Sequence, residues 1–449
     1  MESRKSDAPV VDLTPPAKSG LLERLFRLSS HGTTVRTELI AGMTTFITMA
    51  YIIFVNPNIM ADAGIDHGAA FVATCIAAAL GCLLMGLYAN WPVGLAPGMG
   101  LNAFFTYTVV GTMGYSWETA LGAVFVSGVL FMVLTLSRVR EWLLNSIPLG
   151  LRHAMGAGVG LFLGVIGLKT AGIVVASPAT LIKLGSLHEP APLLAALCFL
   201  MIAVLSYHRV FGAILISIVS VTLIGWGLGL VQYGGVFSLP PSLAPTWLAM
   251  DVAGVFNVSM ISVVLAFLFV HMFDTAGTLM GVAQRANLVR ADGRIENLSR
   301  ALKADSASSV FGAAVGVPPV TSYVESAAGV AAGGRTGLTA VVVGMLFVAA
   351  MFFAPLAGMI PAYATAGALI YVAMLMMGSM AHIEWDDATD SIPAIVTLIM
   401  MPLTFSVADG IALGFISYVV LKACTGKHRE ISVSLWVLCV IFLAKFAFL

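Results

Sequence analysis

The chain has 449 residues, of which 59% are hydrophobic and 10% charged. Soluble domains carry about a quarter charged residues, so this composition excludes a water-soluble globular protein and points to one embedded in lipid. Twenty-two Lys and Arg balance twenty-two Asp and Glu, which leaves no net field to attract nucleic acid or a charged partner.

The first 30 residues are polar, contain SDAPVVDLTPPAKSG, and lack the basic, apolar and small-residue order of a cleavable signal peptide. They read as a short disordered tail leading into LLERLFRL, which suits the inner membrane surface. A bilayer crossing takes roughly 20 apolar residues. Seven crossings are expected near 38–55, 69–88, 97–113, 117–137, 148–172, 192–206 and 210–231. After the polar interruption YGGVFSLPPSLAPTW, seven more are expected near 259–281, 300–316, 320–334, 336–354, 359–379, 392–404 and 408–424. A last apolar run, 432–448, has no counterpart and reads equally as a fifteenth crossing or an interfacial helix. The five cysteines form no CxxC or Cys/His spacing and read as small buried residues, with no disulfide, metal or other cofactor.

With the N-terminus in the cytoplasm, nineteen of the twenty-two Lys and Arg fall on the cytoplasmic side, and only Lys169, Lys183 and Lys445 do not. A seven-span unit repeated once has an odd number of crossings, so its two copies enter the membrane in opposite senses. That is the inverted repeat of many secondary transporters, and the expected fold is all-α with fourteen spans in a seven-plus-seven arrangement.

Such transporters hold substrate near the midplane, where Gly- or Pro-broken helices occur at matching places in both halves. Here the third run of the first half reads LAPGMGLNAFFTY (95–107), and the third run of the second half reads VPPVTSYVESAAG (317–329). Pro97, Gly98 and Gly100 in one, and Pro318 and Pro319 in the other, make each an extended lead-in followed by a half-helix. Asn102 sits just inside the first half-helix and Glu325 just inside the second. Asp274 lies mid-span in FLFVHMFDTAGTLMGVA, with His271, Thr275 and Thr278 at helical spacing beside it. An ionised carboxylate at the bilayer centre costs roughly 2.5 to 3.5 kcal/mol, so Glu325 and Asp274 read as functional rather than as helix caps or interhelix ties. For Asn102 a cap and a substrate contact are both compatible. His271 reads as a hydrogen-bonded packing residue, Gly156, Gly160 and Gly164 as a close helix contact, and HIEWDDATD (382–390) as a solvated turn.

The stretches TTFITMAYIIFVNP, APGMGLNAFF, FDTAGT, TSYVESAAGVAAGGRTGLTA, ALIYVAMLMM and MMPLTFSVADGIALGF, in this order, resemble the AzgA-like purine permeases of the nucleobase-cation symporter-2 group. Ser326 directly after Glu325, with Gly329 four positions on, favours that branch over the uracil and xanthine carriers. The resemblance implies a core domain (38–137 and 259–354) and a gate domain (138–258 and 355–424), flanked by a tail (1–37) and a C-terminal segment (425–449). It further implies uptake of adenine, guanine or hypoxanthine with a proton across the inner membrane by elevator-like alternating access, and no enzymatic activity. Glu325, Asn102, Asp274, Thr275, Ser322, Tyr323 and Phe104 are the implied substrate site, and Asp274 and Glu325 the implied proton-coupling groups.

A purine's uncharged edge of donors and acceptors suits a carboxylate beside half-helix N-H groups, and Phe104, Phe105, Tyr107, Phe273 and Tyr323 offer ring faces. The partners expected are a purine nucleobase, a proton and the bilayer, with a homodimer as the assembly to test. The alternatives are a xanthine, uracil or anion carrier on the same fold. An anion would call for a facing cation or backbone dipoles alone, where this chain has two carboxylates. An intramembrane hydrolase would need a GxGD or HExxH motif, which the sequence lacks.

Overall fold

Helices begin where the sequence supplies a cap. Thr34, Asp66, Ser116, Asn257 and Ser406 each accept from a backbone N-H three residues on, opening the first, second, fourth, eighth and fourteenth spans. A computed structural model of the chain describes residues 20–137, 148–177, 180–289 and 295–448. The tail 1–19 and the basic residues Arg138, Arg140, Arg290 and Arg294 lie outside the described residues.

The first seven crossings are Val35–Met49 continued as Ile52–Asp62, His67–Leu84, a broken third span, Trp117–Leu136, Leu149–Thr170, Pro190–Tyr207 and Ala213–Gly227. The second seven are Val258–Arg285, Leu298–Val315, a broken tenth span, Gly337–Ala350, Ala362–Met377, Ala388–Leu403 and Val407–Cys424. Nine helices among the described residues are long and apolar enough to cross a bilayer unaided. The ninth span is not one of them, because it carries Arg300, Lys303 and Asp305.

The inverted repeat is written in the packing. The second span lies on the eleventh as the ninth lies on the fourth, the first on the eleventh as the eighth on the fourth, and the fifth on the thirteenth as the twelfth on the sixth. Each pair maps onto its mate by adding or subtracting seven. Spans one to four pack mainly with eight to eleven, and five to seven with twelve to fourteen.

The broken spans have the extended lead-ins expected. Leu95–Pro97 and Val320–Ser322 are short strands, followed by helices Met99–Ala103, which widens to a π-helix through Thr112, and Ser326–Ala331. The strands pair antiparallel, with Leu95 opposite Ser322 and Pro97 opposite Val320. Their flanks are bonded too: Gly98 N-H donates to Pro319 O at 2.9 Å, and Tyr323 N-H to Gly94 O at 3.0 Å. Tyr323 Oη donates to Pro97 O at 2.5 Å.

Glycines set the close crossings. A Cβ on Gly329 would stand 2.0 Å from Thr45 Oγ1, and one on Gly100 2.1 Å from Val159 Cγ1. The first contact seats the tenth half-helix on the first span; the second brings the third half-helix against the fifth. The Gly156, Gly160 and Gly164 face meets the twelfth span at Ser379, Met376 and Ala373, the close helix contact expected. Four of the cysteines are buried as anticipated, whereas Cys424, at a helix end, is exposed.

Two sequence readings are extended. HIEWDDATD is a largely exposed turn, as expected, but it is also one side of an ion-pair network: Lys427 Nζ donates to Asp387 at 2.6 Å and Lys422 Nζ to Asp390 at 2.8 Å. LLERLFRL forms the helix Leu21–Phe26 with Leu21, Leu22 and Leu25 exposed, but it is also docked, since Phe26 and Leu28 pack on Leu338 of the eleventh span. The helix Val433–Phe448 packs on the fourteenth span.

Glu38, fully buried in the first span, caps the start of the eleventh. It accepts from the backbone of Arg335 (2.8 Å), Thr336 (3.3 Å) and Thr339 (3.1 Å) and from the Thr339 hydroxyl (2.6 Å). Orphaning a buried donor costs about 1 to 3 kcal/mol. Glu38→Ala is therefore expected to lower the unfolding midpoint of the detergent-purified protein by several degrees, with Glu38→Gln losing less; an unchanged midpoint for the alanine variant would contradict the capping role.

Candidate functional site

The strand pair brings three carboxylates from three spans together, and their surroundings differ. Asp305, on the ninth span, is fully buried. Its Oδ2 accepts from Thr275 Oγ1 at 2.9 Å and lies 2.7 Å from His271 Nε2, which donates to it in the Nε2-H tautomer. Its Oδ1 accepts from Ser322 Oγ at 2.7 Å. Asp305 thus ties the eighth and ninth spans to the strand of the tenth.

Glu325 and Asp274 are accessible. Glu325 stands at the N-cap position of the Ser326–Ala331 helix, but its side chain does not cap that helix. Its Oε1 instead accepts from Tyr51 Oη at 2.7 Å. Tyr51 is buried at the break within the first span. Asp274 is exposed and lies within electrostatic reach of Glu325 and Tyr323. Val324, beside Glu325, is 58% exposed in an otherwise buried stretch, so the tenth-span turn faces open space.

Helix geometry explains why Asp274 separates from its expected companions. At 100° per residue, Asp274 lies about 60° to one side of His271 and Thr275 about 40° to the other, so the two point roughly 100° apart. His271, Thr275 and Thr278 turn inward, while Asp274 begins an exposed stripe that continues through Gly277, Gly281 and Gln284 to the end of the helix. A Cβ on Gly277 or Gly281 would meet nothing within 4 Å. Eleven residues at 1.5 Å each place Asp274 about 16 Å from that end, near half the hydrocarbon thickness.

The other expected residues lie as follows. Thr275 and Ser322 are committed to Asp305, and Tyr323 spans the strand pair through Pro97 O. Asn102 is fully buried; its Nδ2 donates to Asn56 Oδ1 at 2.6 Å, and Asn56 Nδ2 donates to Thr74 Oγ1 at 2.7 Å. Asn102 Oδ1 has no partner among the described residues. Phe104 is buried with its ring edge-on to Phe267 at 4.9 Å, a packing position. His271 has the packing role expected, hydrogen-bonded and edge-on to Phe131 at 4.7 Å. Sequence reasoning missed Asp305 and Tyr51. An acid seven residues into a Ser- and Ala-rich helix was the available sign for Asp305; a tyrosine in an apolar run carries none. Among the described residues no group of three or more His, Cys, Asp or Glu could hold a metal ion.

At the end opposite the exposed stripe, the two helix groups meet. Thr108 Oγ1 donates to Phe405 O at 2.5 Å, and Lys169 Nζ lies 5.7 Å from the Phe405 ring centroid.

Four similarities accompany this geometry. A permease family profile matches residues 36–445. The adenine permease AdeP of Escherichia coli (strain K12) is 49% identical over 436 residues, 97% of this chain and 98% of that one. The guanine/hypoxanthine permease PbuG of Bacillus subtilis (strain 168) is 44% identical over 442 residues, 95% of this chain and 100% of that one. In fold, the transmembrane domain of a cyanobacterium bicarbonate transporter BicA superposes with a TM-score of 0.64 at 15% identity, covering 84% of this chain and 97% of that one.

Removing Asp305 orphans three buried donors, whereas removing Glu325 frees one hydroxyl. Asp305→Ala is expected to cost about 3 kcal/mol or more and to depress the unfolding midpoint well below that of Glu325→Ala, compared by thermal unfolding in the same detergent. Equal midpoints would refute the division between sealed and accessible carboxylates.

Proposed function

The chain belongs to the permease family, a transporter family and not an enzyme family, and is a multi-pass membrane protein; from that premise we propose that it carries purine nucleobases into the cell together with a proton. The observation that carries this reading is the pair of accessible carboxylates, Asp274 and Glu325, beside the crossing of two broken spans. Names of relatives sharing nearly the whole chain, adenine permease and guanine/hypoxanthine permease, support the substrate class.

In the binding step, the half-exposed Glu325 accepts from ring or exocyclic N-H groups of the base while Tyr51 holds the other side of the carboxylate. Asn102, whose carbonyl oxygen has no partner among the described residues, lies just inside the half-helix start. Thr275 and Ser322 act through Asp305, keeping the eighth and tenth spans in register. Tyr323 braces the strand pair, and Phe104 packs behind it. In the coupling step, Asp274 exchanges a proton between a site open to water on one side and closed on the other.

The transport step moves the core domain, spans one to four and eight to eleven, past a gate domain of the remaining spans. Gly100 against Val159 is one place where the two slide. The exposed stripe below Asp274, with the opposite end held by Thr108 and Phe405, supports an inward-open state. The distribution of Lys and Arg supports an inner-membrane orientation with the N-terminus in the cytoplasm.

Uptake of radiolabelled adenine, guanine and hypoxanthine, with xanthine and uracil as competitors and with or without a protonophore, tests the reading. Purine accumulation abolished by the protonophore is expected; no purine uptake would overturn it. Glu325→Gln, at equal expression, is expected to lower uptake roughly tenfold to a hundredfold, since it loses a charged acceptor; wild-type uptake would remove Glu325 from the site.

Asp274→Asn mimics the proton-loaded carboxyl but cannot release a proton. Purine binding to the solubilised variant, followed by calorimetry, is expected to persist while pH-driven accumulation disappears. If Asp274→Asn concentrates purine as the parent does, the proton travels elsewhere.

A further inference from the structure

A cavity of about 410 Å³ lies at the end of the bundle where the described chain begins, away from the strand pair. Its walls come from three parts of the chain: Arg27, Ser30 and His31 after the interfacial helix, Asn287 and Glu296 in the connection between the eighth and ninth spans, and Arg335 after the tenth half-helix. A volume in this range suits a small ligand.

The charges on the wall are unevenly committed. Arg27 makes no ion pair and no side-chain hydrogen bond among the described residues; its backbone carbonyl accepts from Ser30 Oγ at 2.8 Å and lies 2.9 Å from His31 Nδ1, leaving the guanidinium unused. Arg335 spends Nη1 on Val330 O (2.6 Å) and Gly334 O (2.7 Å), and its other guanidinium nitrogens have no acceptor among the described residues. The carboxylates nearest in sequence are taken, Glu23 by the Ser29 N-H and Glu38 by the start of the eleventh span. Glu296 is the acid on the wall and is itself engaged. Two guanidiniums and an imidazole therefore face one carboxylate across a cavity with a serine and an asparagine on its rim.

Guanidiniums present parallel N-H groups that match phosphate oxygens in a bidentate manner. Arg27 and Asn287 both adopt left-handed backbone, at φ 54° and 57°. Both stand where a helix ends, Arg27 as the C-cap of Leu21–Phe26 and Asn287 just after Val258–Arg285, so this backbone terminates the helices and turns both residues toward the cavity they line. The helix before Arg27 exposes Leu21, Leu22 and Leu25, which puts the cavity at headgroup depth.

We propose that this cavity binds a phosphate group, presented by an anionic lipid headgroup or by a free phosphate, between Arg27, His31 and Arg335. The bound phosphate staples the interfacial helix to the connection after the eighth span and to the C-terminal end of the tenth half-helix. Through Val330 and Gly334, Arg335 holds the same short helix that begins beside Glu325. The site is independent of the purine reading and takes a different class of ligand.

The full chain in detergent is titrated with inorganic phosphate, and separately reconstituted in vesicles of phosphatidylcholine with increasing phosphatidylglycerol, with the unfolding midpoint as readout. A rise with phosphatidylglycerol alone assigns a lipid headgroup; a rise with inorganic phosphate as well assigns a free phosphate. Arg27→Gln and His31→Gln are each expected to raise the half-saturating amount, Arg27→Gln by roughly tenfold. Arg209→Gln, which removes a charge elsewhere, is expected to leave it unchanged. No rise in the parent with either probe, or the same half-saturating amount in parent, Arg27→Gln and His31→Gln, overturns the proposal.

Discussion

The pairing of Leu95–Pro97 with Val320–Ser322 is the contact on which the rest of the molecule depends. An unpaired backbone group in hydrocarbon costs several kcal/mol, so neither span can stop being helical at mid-depth alone. Each supplies the partner the other lacks, and Gly94, Gly98, Pro319 and Tyr323 extend the pairing at both ends. The two halves of the repeat must therefore come together before either broken span is stable. The register also fixes the chemistry. Ser322 donates to Asp305, and because strand side chains alternate, a one-residue slip would turn it to the opposite face and break that bond.

Around that crossing the chain divides its carboxylates by access. Asp305 is sealed and accepts from three donors on two other spans, which makes it a fastener. Asp274 and Glu325 keep open sides, and among the described residues Glu325 has a single side-chain donor in Tyr51. The same kind of group does different work because one environment spends three of about four acceptor sites on the protein and the other leaves more for a visitor. Close backbone approaches complete the support: Gly329 brings the tenth half-helix onto the first span, so that the break at Tyr51 lies opposite Glu325.

Composition and spacing made much of this legible. Apolar runs at crossing length, with a polar gap between two sets of seven, revealed the repeat; its inverted sense followed from the odd number. Paired Pro and Gly clusters revealed the broken spans, because a missing N-H or Cβ acts locally whatever surrounds it. Asp274 and Glu325 stood out because charge is costly in lipid wherever the helix points. The adjacent basic residues of the ninth span made Asp305 look like part of a helix end, which hid the most thoroughly bonded carboxylate of the three.

The sequence by itself determined that the chain lives in a membrane, crosses it in two inverted sets, and breaks its third and tenth spans beside an asparagine and a glutamate. These are consequences of hydrophobicity, parity and backbone chemistry, all of which act at short range. Tertiary structure alone decided that Thr275 and Ser322 serve Asp305, that Phe104 packs on Phe267, and that Glu325 turns to Tyr51 rather than capping its own helix. Tyr51 and Glu325 are 274 positions apart. A bond of that reach leaves no periodicity in the chain, and it exists only because two antiparallel strands, one from each half, put both residues at the same depth.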